Sequence, residues 1–134
     1  MGKSLIQVAN QSSQDVSINS IISLGSTQRR YGCNLKLSGN GVEVNGEGYY
    51  KVDASVSLAP TEAGAVTVAL YNNGVPVPGA IAYSAVTTAG NNTNLYICGT
   101  IRIGCCCDSA DNLTLVLVSG ASTVNNVSLR VEKS

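Results

Sequence analysis

From Tyr50 to Leu58 the chain alternates without a fault. Tyr50, Val52, Ala54, Val56 and Leu58 occupy the even positions, and Lys51, Asp53, Ser55 and Ser57 the odd ones, with Tyr49 just before them. A period of two puts the first set on one face of an extended strand and the second on the other. One dry face and one wet face are what an antiparallel strand at the surface of a sandwich requires. The short run Gly41-Val42-Glu43-Val44 precedes it, separated by a turn around Asn45 to Gly48.

The rest of the chain has the same character. Helical periodicity is nearly absent, and short strand-like runs alternate with turn signals. The pattern predicts strands over 5–10, 16–24, 31–37, 42–44, 48–58, 65–71, 81–88, 95 to about 106, 113–118 and 127–132. Loops are expected over 11–15, 59–64 and 120–126. Asn72-Asn73-Gly74 reads as a hairpin turn, because Asn and Gly tolerate positive φ. Pro76 and Pro78 cannot donate to a ladder, so 75–79 is an edge or a loop. Eight to ten short strands at even spacing imply an all-β sandwich or barrel.

Two of these strands depart from the wet-and-dry rule. Leu113, Leu115 and Leu117 share a strand with Val116 and Val118 on its other face. Leu95, Ile97, Ile101 and Ile103 share theirs with Tyr96 and Cys98. A strand apolar on both faces has to be covered on both. Either a loop or another subunit covers the outer side, and a second subunit is the reading adopted.

Composition narrows the function. At 134 residues the chain is one domain, 1–134, with enough length for a real core. Eight basic and eight acidic side chains cancel, and charged residues make up only 12%. Eight scattered cations do not assemble a basic patch, so nucleic acid is not an expected partner. An uncharged surface of Ser, Thr, Asn and Gly suits an extracellular or virion protein, or a subunit that buries much of itself in an oligomer. The absence of His removes the commonest general base and metal ligand together. No enzyme, catalytic residue, cofactor or membrane span is expected. The first ten residues hold no apolar signal region, so synthesis in a cytoplasm is the expectation.

The five cysteines, at 33, 98, 105, 106 and 107, are an odd number and do not form a closed disulfide framework. Three consecutive cysteines in a strand point to alternate faces and do not converge on one ion. Free thiols packed as small hydrophobes are the preferred reading, with a disulfide within or between chains as the alternative. Asp108 and Asp111 share a turn, but two carboxylates are too few for a calcium site, and no metal is expected.

Gly48-x-Tyr50-x-Val52, following an extended Gly-Val-Glu-Val, resembles the Gly-x-Tyr-x-Phe/Val strand of the tumour-necrosis-factor-like jelly roll, in particular the complement-type globular head. Leu70-Tyr71-Asn72-Asn73-Gly74-Val75 resembles that family's apolar-Asn-Gly segment some twenty residues later. Asp111-Asn112-Leu113-Thr114-Leu115 resembles its Asp-containing strand near the C-terminus, and Val127 to Val131 its last short strand. The resemblance spans Ile21 to Val131. It implies a two-sheet antiparallel jelly roll of about ten strands, assembled as a homotrimer through an apolar face. The chain lacks the collagen-like stem and the Phe common in animal members, so animal ligand or hormone function does not carry over. Tyr-Gly-Cys, Gly-Tyr-Tyr-Lys-Val-Asp and Cys-Cys-Cys-Asp resemble segments of small phage and prophage proteins that look like virion decoration, head-fibre or tail-tip domains.

Two functions follow as expectations. The first is a non-enzymatic, trimeric structural or adhesion protein of a virion, with Tyr49, Tyr96, Leu115, Val116, Leu117 and Val118 at the trimer interface. Its partners would be itself and, beyond that, other virion proteins or a bacterial surface glycan. The second is a monomeric carbohydrate-binding or adhesion module using the polar loops 11–15, 90–94 and 122–126.

Overall fold

The structure is a computed structural model that describes residues 4–32, 35–103 and 111–133. Cys33, the Cys105–Cys107 triplet and Asp108 lie outside the described residues. Among the described residues, twelve strands run in chain order: β1 (Leu5–Asn10), β2 (Gln14–Val16), β3 (Ser20–Ile21), β4 (Ser26–Tyr31), β5 (Leu35–Ser38), β6 (Gly41–Val44), β7 (Gly48–Pro60), β8 (Gly64–Asn72), β9 (Val75–Val86), β10 (Thr93–Ile103), β11 (Asp111–Ser119) and β12 (Ser122–Lys133).

They form two antiparallel sheets. The front sheet has the order β10-β7-β12-β1-β4, with β2 also on β12. The back sheet has the order β5-β6-β11-β8-β9, with β3 also on β11. Strands adjacent in sequence therefore often lie in different sheets, as in a jelly roll.

The core lies between the central strands of the two sheets. From the front come Tyr50, Val52, Ala54, Val56 and Leu58 of β7; from the back come Leu113, Leu115 and Leu117 of β11. All but Ala54 are at most 1% exposed. Val66, Val68 and Leu70 of β8 and Val127, Leu129 and Val131 of β12 extend this layer on either side. The alternation from Tyr50 to Leu58 is thus the sorting of one strand between core and surface.

Tyr50 does more than fill space. Its ring is wholly buried, and its hydroxyl donates to the carbonyls of Asn45 and Gly46, at 2.8 and 2.9 Å. The side chain therefore holds the β6–β7 turn down on the end of the core. Burial raises its pKa above the ordinary tyrosine value, because the charged phenolate is poorly solvated there.

The predicted hairpin is present. Asn72 pairs with Val75, and Asn73 and Gly74 both take positive φ, the two-residue turn that matches strand twist. The turn is also pinned sideways: the Asn73 amide donates to the Asn112 carbonyl, and the Asn112 amide donates to Asn73 Oδ1, both at 2.9 Å.

Elsewhere the boundaries move. The strand expected over 16–24 is broken into β2 and β3, with Asn19 at φ 66° between them. The strand expected over 31–37 is two strands in different sheets, β4 and β5. The Arg30 side chain ties them, its Nε donating to the Leu35 carbonyl at 2.7 Å. Pro76 and Pro78 sit inside β9, which has a free edge where a missing donor costs nothing. The loop expected over 120–126 is mostly strand: β12 starts at Ser122 and carries a bulge between Val124 and Asn126. That bulge breaks the period-2 pattern and so hides the strand.

Tyr50→Phe is expected to destabilise the chain by about 1 kcal/mol at pH 8 through loss of a buried hydrogen bond. Because the folded state holds the Tyr50 proton more tightly than the unfolded state, this contribution is fully present below the ordinary tyrosine pKa of 10.0. It fades as pH rises beyond that value. Urea midpoints of the two proteins should therefore converge between pH 8 and pH 11. Leu115→Ala should cost about 3 kcal/mol as a core truncation, measured by the same unfolding curves.

Candidate subunit interface

The outward face of the front sheet is ordered in rows, because partners in register point the same way. One row runs Tyr96–Ser55–Ser128–Ala9 across β10, β7, β12 and β1. Next to it runs Cys98–Asp53–Arg130–Gln7, and then Thr100–Lys51–Glu132–Leu5. Tyr49 stands opposite Arg102 at the end of the face.

The first row joins one large side chain to three small ones. Tyr96 lies on the edge strand and is 72% exposed. Beside it, Ser55, Ser128 and Ala9 form a low shelf, continued by Ser57, whose hydroxyl donates to Asn94 Oδ1 at 2.6 Å. The next two rows hold charges that cancel locally. Arg130 Nη2 donates to Glu132 Oε1 at 3.2 Å and stands 3.9 Å from Asp53 Oδ2. Lys51 is the register partner of Glu132. These side chains are about half exposed, so in the lone subunit such pairs contribute at most ~1 kcal/mol. The Arg102 guanidinium lies 5.9 Å from the centre of the Tyr49 ring, at the outer range of a cation–π contact. Cys98 is an exposed free thiol on the same face.

The six residues expected at an interface fall in three places. Tyr49 and Tyr96 share the front face and are exposed. Leu115 and Leu117 are wholly buried in the core, so their burial is accounted for within one subunit. Val116 and Val118 face outward from the back sheet, on the opposite side of the molecule from Tyr96. Val116 is only 8% exposed, flanked in register by Ile21 of β3 and Ala69 of β8. One reason for expecting a second subunit on β11 is therefore met by neighbouring strands. The shelf residues Ser55, Ser128 and Ala9 were not expected; they read in sequence only as wet positions, since smallness has no signature of its own. Also unexpected are Ile21, Ile81 and Tyr83 on the back face, exposed by 48%, 53% and 76%.

Among the described residues, no three His, Cys, Asp or Glu side chains are grouped to hold a metal ion. Beside β1 and β4 lies an open hollow of about 570 Å³ lined by amides, hydroxyls and Arg29.

Solved structures share this two-sheet fold. Murine APRIL superposes with a TM-score of 0.76 at 12% identity, over 98% of this chain and 99% of the other. The chain folds as a tumour-necrosis-factor-like jelly roll. The Eiger TNF of S. frugiperda matches at TM-score 0.71 and 10% identity, over 99% and 92% of the two chains. The globular domain of zebrafish complement 1qA matches at 0.70 and 7%, over 96% and 94%. At such identities the likeness concerns the fold alone. No protein-family model matches the sequence. No curated protein matches it either.

Proposed function

We propose that the chain is a non-enzymatic subunit of a homotrimer, built through the front sheet, with a structural or adhesive role. The observation that carries this reading is the Tyr96 row. An aromatic anchor on a free sheet edge stands next to a shelf of small side chains on the same subunit's face. Tyr96 stands beside its own shelf and leaves most of its ring in water, so the edge of a second copy can lie across the shelf. Edge on face is a head-to-tail contact, and such contacts form rings where the rotation between copies closes. Tumour-necrosis-factor-like neighbours support a ring of three. The locally cancelled charges of Asp53, Arg130, Glu132 and Lys51 can enter such an interface without an unpaired ion.

The narrower role is a virion decoration, head-fibre or tail-tip protein. Its support is the likeness of the Tyr-Gly-Cys and Gly-Tyr-Tyr-Lys-Val-Asp segments to small phage proteins, and a surface short of charge. The second reading, a monomeric carbohydrate-binding module, is favoured by the polar hollow beside β1 and β4.

Tyr96→Glu separates the two readings. It puts a carboxylate where the ring would enter the neighbour, on a side chain that the lone subunit leaves in water. Sedimentation equilibrium should show loss of the threefold association, while the thermal unfolding of the subunit itself shifts little. Unchanged mass would count against the front-sheet trimer. For the virion role, the chain should co-sediment with phage particles in a density gradient, and consistent absence from particles would sink that part.

A further inference from the structure

At the edge of the front sheet farthest from Tyr96, strand β4 departs from regular pairing. Ser26 lies opposite Ala9 and Thr27 opposite Val8, but the partner of Gln7 is Arg29, not Gln28. Gln28 is thus the extra residue of a β-bulge. Strict alternation from Ser26 would turn Gln28 outward and Arg29 inward. The bulge brings both to the outer face, which is how bulges re-aim a side chain at sheet edges and binding sites.

Both side chains border the open hollow of about 570 Å³ beside β1 and β4. Small-ligand sites span roughly 300–1,000 Å³, so its size is suitable. The rest of its wall is held in place by the chain itself. Asn10 Nδ2 donates to the Ser23 carbonyl at 3.2 Å, and Asn10 Oδ1 accepts from the Ser12 amide at 3.0 Å. Gln14 clamps the same segment, donating to the Ser23 carbonyl and accepting from the Ser23 amide, both at 3.0 Å. Gly25, at φ 76°, lets the chain pass against β1 where a Cβ would strike the Ala9 carbonyl.

Four side-chain amides and two hydroxyls surround a single charge, that of Arg29, and no carboxylate lines the hollow. The acids of the same face are engaged elsewhere, since Asp53 and Glu132 both attend Arg130. Arg29 Nη1 donates to the Gln28 carbonyl at 3.2 Å, which uses one of the five guanidinium donors. Tyr31, two positions further along the same face, is 66% exposed. Its ring offers an apolar surface on which the C–H face of a sugar can pack.

We propose, building on the carbohydrate-binding reading, that this hollow takes a saccharide bearing a carboxylate. The carboxylate pairs with the Arg29 fork, and the sugar hydroxyls bond the amides around it. One cation among six neutral polar groups is the observation behind this choice. A guanidinium meets a carboxylate through two parallel hydrogen bonds, and side-chain amides both donate and accept, as a polyol requires. A nucleic acid or a heavily sulfated chain would meet one positive charge where it needs several. An apolar ligand would strip water from six polar groups without replacing their hydrogen bonds. Gln28, Arg29 and Asn10 belong to one chain and lie beyond the Ser55–Ser128 shelf, so a single subunit suffices.

Calorimetric titration of the intact protein tests this, with galacturonate, glucuronate and mannuronate trisaccharides and sialyllactose, each beside its methyl ester. At least one acid should bind, and its ester at least tenfold more weakly. Arg29→Gln should weaken binding of that acid tenfold or more, and Arg29→Lys, which keeps the charge but not the fork, should recover only part. Arg29 is exposed, so both variants should unfold at the wild-type urea midpoint. Esters that bind as well as the acids, or Arg29→Gln that binds the acid unchanged, overturn the acidic ligand and leave the carbohydrate-binding reading standing. No binding by any sugar of the panel overturns both. Tyr96→Glu should bind the acid as the wild type does, and loss of binding there overturns the single-subunit site.

Discussion

Burial of the β7 row against the β11 row is the contact on which the rest of the molecule depends. Tyr50 to Leu58 on one side and Leu113 to Leu117 on the other meet at the centre of the sandwich. Each of these strands has partners on both sides, so ordering them places β10 and β12 in the front sheet and β6, β3 and β8 in the back. Apolar burial is worth roughly 1.5–3 kcal/mol for each such side chain, far more than any exposed ion pair on this surface. Every outward position follows from it, because a strand that commits its even residues to the core commits its odd ones to a face.

The two faces made in this way differ in kind. The front one holds the charges, paired in register, and a shelf of Ser and Ala beside Tyr96. The back one exposes Ile21, Ile81 and Tyr83, and its neighbouring strands β8 and β9 carry no charge. A chain with 8 basic and 8 acidic residues has little long-range repulsion to keep copies apart. The proposed association therefore rests on local shape and apolar contact, with the aromatic edge in front as its anchor.

The fold was legible where period 2 runs unbroken. β1 was readable to the residue, and β7, β8 and β11 to within two residues, as was the Asn73-Gly74 turn. It was not legible where the backbone departs from regularity. The bulge after Val124 disguised the first half of β12 as a loop, and the one turn signal directly after β4, Gly32 at φ 82°, lay inside an otherwise strand-like run. The doubly apolar strand β11 was read as a mark of a partner. Its inner leucines belong to the core, and Val116 is enclosed by Ile21 and Ala69, which sequence could not place beside it. Tyr96 was found because a large aromatic on the wet parity of a strand is conspicuous. Its shelf was missed because serine on that parity is ordinary.

The central claim is that Tyr96, open to water in one subunit, is covered by another. Hydroxyl-radical footprinting of the native protein, read by mass spectrometry at each tyrosine, addresses it directly. Tyr96 should be labelled several-fold more slowly in the wild type than in a dilution series that drives the protein to monomer, with wholly buried Tyr50 slow throughout. Labelling of Tyr96 at the rate of a free tyrosine at every concentration would contradict the account.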